Sequence, residues 1–384
     1  MENSCSFKAL NRRVPEQVAG RRCGTNVFSF AGACGPLPNE VLQLAQVELH
    51  DWLHSGKSVL ALPFNGQEFR SVLAEAEAAL RSLLRVPDNY TILFMHGGAS
   101  AQFAAVPLNL LRGRRLAHYL DSGYWSGRAI TEARRYCKVN VASSSAATGY
   151  DRVPELPEPR LEPGGAYCHV VANETANGIE YRHLPFTGAV PLVADMTSCL
   201  LSRPVEIGRH GLIYAGTQKN MGVAGLAIVI VRNDLIGEAH PATPTVFNYA
   251  VQAKNGSLYN TPPTYAIYLA GLVFDWLRRQ GGMAAMEAAN LRKSAKLYAA
   301  IDGSDGFYRC HAHPEYRSRT NVCFGLANDL LTLDFIAAAA REGLSDLAGH
   351  PSVGGVRASL YNAVSEKAVD TLVGFMQEFA SRTG

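Results

Sequence analysis

Six short runs, at residues 90–95, 116–120, 166–172, 192–194, 212–214 and 226–231, are almost wholly apolar and are rich in Val, Ile, Leu, Tyr and Phe. A strand without polar alternation must bury both of its faces, which a surface sheet cannot offer and a sheet covered by helices on both sides can. The intervening sequence supplies such helices. Residues 68–85 (EFRSVLAEAEAALRSLLR) repeat apolar positions at three- and four-residue spacing, and residues 39–53 do so after Pro38. This alternation predicts an α/β fold built on a largely parallel sheet.

A length of 384 residues exceeds what one ordinary core holds and predicts two domains. The helical run that ends at Gln280-Gly281-Gly282 is followed by a long Ala-rich one, so the boundary is placed there. The expected division is an N-terminal extension over 1–25, a segment over 26–38 that lines the site and associates with the small domain, a large domain over 39–282, and a small α+β domain over 283–384. A formal net charge of +3 with scattered arginines predicts no nucleic-acid partner, and without a run of about twenty apolar residues no membrane span is expected. Eight cysteines without a CxxC pair argue against structural zinc and a disulfide scaffold, and with no apolar signal segment they predict a cytoplasmic protein.

Two local patterns carry chemistry. After the run 90–95, His96-Gly97-Gly98-Ala99-Ser100 leads into AQFAAVPLNLL, a strand, a glycine turn and a helix start whose free backbone N–H groups suit a phosphate; Pro107 is expected to kink that helix. Lys219 lies in the turn between the runs 212–214 and 226–231, and Asp195 ends the run before them. The twenty-four residues separating them fit a strand, a turn and a return strand. A lysine that can form an imine and a carboxylate that can keep a pyridine nitrogen protonated are the two side chains that pyridoxal phosphate requires.

From about Phe28 onward the chain resembles the phosphoserine aminotransferase family of fold-type I, class V pyridoxal phosphate enzymes. The matching segments are HGGASAQFAAVPLN (96–109), DSGYWS (121–126), NET (173–175), ADMTS (194–198), AGTQKN (215–220), NGSLYNTPPT (255–264) and VGGVRASLYNA (353–363). The resemblance implies a seven-stranded, mainly parallel sheet in the large domain and a pyridoxal-phosphate-dependent transaminase that converts an amino acid and a 2-oxo acid. It implies Lys219 as the Schiff-base lysine, Asp195 as partner of the pyridine nitrogen, Trp125 stacked on the ring and Thr175 at the ring hydroxyl. Ala99, Ser100 and Gln218 would form the phosphate cup, joined by Asn260 and Thr261 from the neighbouring subunit of a homodimer. Arg357 would hold the substrate α-carboxylate.

The substrate half departs from the family pattern. Phe64-Asn65 stands where a His-Arg pair is expected, Ser100 where an Arg is expected, and Pro351 where an Arg would follow His350; Gly32-Ala33-Cys34 replaces a Ser-Gly-Pro pattern in the segment that lines the pocket. Charge-assisted contacts contribute about 1.5–3 kcal/mol each, so three missing arginines would cost roughly 4–9 kcal/mol, a thousandfold or more in affinity. The sequence therefore predicts a small, non-phosphorylated amino acid/2-oxo acid pair, with two alternatives: genuine phosphoserine:2-oxoglutarate transamination, or elimination, replacement or decarboxylation on the same cofactor.

Overall fold

A computed structural model of the chain describes residues 27–156 and 161–383; the expected extension over 1–25 lies outside them. The chain enters through a two-residue strand β1 (Phe28–Ser29), then forms α1 (Asn39–Glu48) and α2 (Gln67–Leu84). The sheet elements follow: β2 (Tyr90–His96), α3 (Gly98–Leu110), β3 (Leu116–Asp121), α4 (Tyr124–Ala133), β4 (Lys138–Ser144) and β5 (Cys168–Val171). A small hairpin of β6 (Asn173–Glu174) and β7 (Ile179–Glu180) precedes β8 (Leu192–Asp195), β9 (Leu212–Gly216) and β10 (Leu226–Arg232).

Seven of these strands form one sheet in the order β2-β10-β9-β8-β5-β3-β4, parallel except for β10, which runs antiparallel to both its neighbours. The apolar runs split by parity between two cores. Leu226, Ile228 and Ile230 of β10 join one, with Ile92 and Phe94 of β2, while Ala227, Val229 and Val231 join the other, with Leu93 and Met95. That is the period-two geometry of a strand with both faces buried. Residues of α2 and of α6 (Thr264–Arg279) cover the first face, and residues of α3 and α4 the second.

Three expectations need correction. The helix expected over 39–53 stops at Glu48; Asp51 leaves helical backbone angles (φ −146°, ψ 84°), and Leu53 and His54 beyond it are left-handed. Helices do not alternate with strands throughout: the stretches from β5 to β8 and from β8 to β9 contain the β6–β7 hairpin and short 3-10 turns instead. The interval from Asp195 to Lys219 likewise holds an irregular return and one strand, since β9 is parallel to β8 and must begin again at the far edge. The helix α3 runs through Pro107 to Leu110.

Beyond α5 (Tyr249–Lys254), α6 gives way at Gly281 to α7 (Gly282–Asp302). The rest comprises β11 (Tyr308–Arg309), β12 (Asn321–Leu326), α8 (Thr332–Arg341), β13 (Leu344–Ser345), β14 (Val356–Ser359) and α9 (Glu366–Thr383). The strands β11-β12-β14 form an antiparallel sheet, and a third core gathers Leu297, Val322, Phe324, Phe335, Ala358 and Leu372 around it. The entering strand β1 pairs in parallel with β13. Among the described residues no helix is long and apolar enough to cross a membrane.

Candidate active site

Because β10 is antiparallel to both β2 and β9, those two strands run in the same direction as β8. Their carboxyl ends therefore share one edge, the place where open α/β sheets bind ligands. From that edge come the Gly97–Gly98 turn after β2, Asp195 at the end of β8, and Lys219 in the turn after β9. They line a cavity of about 360 Å³ with Gly32, Ala99, Ser100, Trp125, Thr197 and Gln218. Gly97 and Gly98 take φ of +83° and +61°, which a side chain would strain, and they free the helix N-terminus at Ala99 and Ser100 to face the cavity.

Asp195 and Lys219 are both buried, yet no ion pair within 4.0 Å joins them among the described residues. Burial raises the carboxyl of Asp195, opposed by hydrogen bonds from Thr197, whose N–H donates to Oδ1 at 2.9 Å, and by the Lys219 charge. Burial lowers Lys219 to about 8, with Asp195 pulling it up and Arg357 pushing it further down. A neutral amine is thus accessible near neutral pH. The Nζ of Lys219 also lies 5.7 Å from the ring centroid of Trp125.

Trp125 is anchored at both ends. Its indole N–H donates to the Oγ1 of Thr175 at 2.9 Å, and its backbone N–H donates to the carboxylate of Glu174 at 3.1 Å. Glu174 also accepts from the Ser126 N–H at 2.8 Å, so this buried carboxylate closes the first turn of α4. Burial raises Glu174 to about 7, against those two N–H donors. Sequence reasoning missed both Glu174 and Thr197, although they lie inside matching segments, NET and ADMTS; a buried acid at the end of a two-residue strand carries no periodic signal.

Arg357, on β14, donates through Nη1 to the Thr175 carbonyl at 3.2 Å, while its buried Nε has no partner. A Cβ at Gly32 would land on this guanidinium, so a larger residue there would push it aside. His350 stands next to the site: its ring centroid is 4.3 Å from Tyr124 and 6.2 Å from Trp125, and burial followed by the charges of Arg357 and Lys219 lowers its pKa.

Other expected residues are not gathered here. Phe64 is half-buried and packs against the large core, and Asn65 is exposed with its carbonyl accepting from Arg70. Pro351 is exposed. Asn260 and Thr261 do not line this chain's cavity, and Asn260 keeps a buried side-chain oxygen without a partner.

The residues present fit pyridoxal phosphate. A helix N-terminus and a glutamine can receive its phosphate, Trp125 offers a flat face, Asp195 a buried carboxylate and Lys219 an amine, around a cavity open between them.

The aminotransferase class-V family profile matches residues 27–372. A phosphoserine aminotransferase from Laribacter hongkongensis is 50% identical over 358 residues, covering 93% of this chain and 99% of that protein. One from Hahella chejuensis is 52% identical over 355 residues, covering 92% and 98%. The solved phosphoserine aminotransferase of Bacillus circulans subsp. alkalophilus superposes with a TM-score of 0.91 at 42% identity, over 94% of this chain and 99% of that one. The pyridoxal-phosphate-bound enzyme from Trichomonas vaginalis gives 0.86 at 37%, over 92% and 100%. With the sheet, the lysine turn and the glycine turn arranged as described, the chain belongs to the class-V aminotransferase family and is a pyridoxal-phosphate-dependent transaminase.

Proposed function

We propose that the protein transfers the amino group of phosphoserine to 2-oxoglutarate. The observation that carries this reading is the likeness, at about half identity and along almost their whole length, to proteins named phosphoserine aminotransferase. It favours phosphoserine, the first alternative, over the expected non-phosphorylated substrate. The physical argument for the latter assumed that no other cation takes the place of those missing at Phe64, Asn65, Ser100 and Pro351, and one chain does not contain every group that faces the site of a dimer. The departures still favour a neutral amino acid as the second reading, because Ser100, in the cavity wall, brings no positive charge.

The bound cofactor supplies an electron sink for the carbanion formed at the substrate Cα. Arg357 binds the α-carboxylate through its guanidinium fork and sets which Cα bond stands ready to break. Lys219 takes the Cα proton on Nζ and returns it on the other side of the exchange. Asp195, held by Thr197, would supply the negative charge that keeps the cofactor's ring nitrogen protonated, and Trp125 would offer its indole face to the ring. Two subunits share each site, with Asn260 and Thr261 reaching the partner's phosphate cup.

Turnover of phosphoserine with 2-oxoglutarate, set beside a panel of neutral amino acids, tests the proposal. A kcat/KM for phosphoserine at least about a hundredfold above every neutral substrate supports it. The reverse ranking establishes the second reading.

A further inference from the structure

A second groove, of about 980 Å³, opens on the opposite edge of the large sheet. Its walls come from residues 82–87, which lead into the amino end of β2, from 203–210, which lead into β9, and from the joint between α6 and α7. Five arginines line it, Arg85, Arg182, Arg203, Arg209 and Arg278, against one acid, Glu206. Two of the five are already matched: Arg203 pairs with Glu180 and Arg278 with Asp275. Arg209 reaches Glu206 only at 3.8 Å, and Arg182 reaches Glu180 only at 4.0 Å. No ion pair is made by Arg85 among the described residues. The groove thus keeps unneutralised positive charge, and the N-terminal residues Gly282, Met283 and Ala284 of the 21-residue helix α7 add backbone N–H groups to its wall.

An independent observation indicates what else a ligand must carry. His210 lines the groove at 3% exposure. Its Nδ1 lies 2.9 Å from the Glu206 carbonyl, which can only accept, so Nδ1 carries the hydrogen. Its Nε2 is then an acceptor, and it has no partner. Burial lowers the pKa of the ring, against its backbone hydrogen bond to Glu206. A ligand that fills this groove brings anionic oxygens for the arginines, and an N–H or O–H donor on it would reach Nε2 only by displacing the side chains that shield that atom from solvent. Inorganic phosphate chains offer only the first.

We propose that this groove is a second binding site, separate from the catalytic one, for a phosphorylated metabolite of nucleotide size that also carries hydroxyl or amine donors. Because the groove spans the α6–α7 joint, an occupant bridges the large sheet's amino edge and the helix that begins the small domain.

Titration calorimetry on the cofactor-saturated enzyme tests this, with ATP and tripolyphosphate as probes. ATP is expected to bind one site per chain with a Kd at or below about 0.1 mM, undisturbed by phosphoserine. The exposed pair Arg85→Glu/Arg209→Glu should weaken it by about tenfold or more while leaving transamination intact. Should charge reversal disturb folding, Arg85→Gln/Arg209→Gln reads the same effect in a milder form. His210→Phe should remove the preference for ATP over tripolyphosphate. Absence of ATP binding at millimolar concentration, displacement of ATP by phosphoserine, or equal affinity in the arginine variants overturns the proposal.

Discussion

In its proposed role Lys219 combines two opposed requirements, since it must be neutral to attack a carbonyl carbon while the charge of Asp195 favours its cation. Burial brings it to about 8. The rate at which cofactor-free enzyme captures pyridoxal phosphate should therefore rise with pH through about 8, as the amine loses its proton. Asp195→Asn removes the charge that favours the cation, so the midpoint of that rise should move to lower pH; stopped-flow absorbance checks this, and an unchanged midpoint would contradict the coupling. Lys219→Ala should lower kcat by roughly a thousandfold or more. A different kind of test belongs to Gly32, where a methyl group would displace the Arg357 guanidinium. Gly32→Ala should raise KM for the amino substrate by about tenfold or more with little change in melting temperature. The lysine and aspartate are legible in sequence because their chemistry is rare and their motifs rigid. Gly32 stands out there only as a departure from a pattern; that it is packed against Arg357 required the fold, since 325 residues of chain separate the two.

At the level of elements, α4 shows how a binding face is aimed. Its first turn is closed by Glu174 from β6, which accepts from the N–H groups of Trp125 and Ser126. Glu174→Gln would turn an amide N–H₂ toward those donors. It should cost about 2 kcal/mol in unfolding free energy, read by denaturant titration, and should weaken cofactor affinity several-fold because the indole loses its backbone anchor. The strands are readable from composition alone, since a segment buried on both faces must be apolar throughout. The connections between β5 and β9 are not, because an irregular return held by side-chain hydrogen bonds, such as those of Asn173 to Ser198 and Asn321, has no period to detect. The premature end of α1 escapes too: the chain leaves helical angles at Asp51 and turns through left-handed Leu53 and His54 with neither glycine nor proline before them to announce it.

For the whole molecule, the position of Asn260 outside its own chain's cavity sets a test of assembly. Lys219→Ala and Asn260→Ala, each weakly active alone, should complement one another when mixed and allowed to exchange subunits, because a mixed dimer holds one site with neither change. A random equal mixture should regain up to about a quarter of wild-type activity, while no recovery would place Asn260 outside the partner's site. One arrangement at this scale reaches back to the entering segment. Phe30 is hydrogen-bonded to Ser345 of β13 and Ser359 of β14, and five residues later the Gly35 N–H donates to the carbonyl of Gln218, beside Lys219. The four residues between, Ala31 to Cys34, let the two anchors part by five Cα steps, about 18 Å at most. They act as a tether of limited length, so any movement of β13 and β14 against the large sheet is restricted by their slack, and a longer insertion there would loosen the lysine turn while Lys219 and Asp195 themselves stay unchanged.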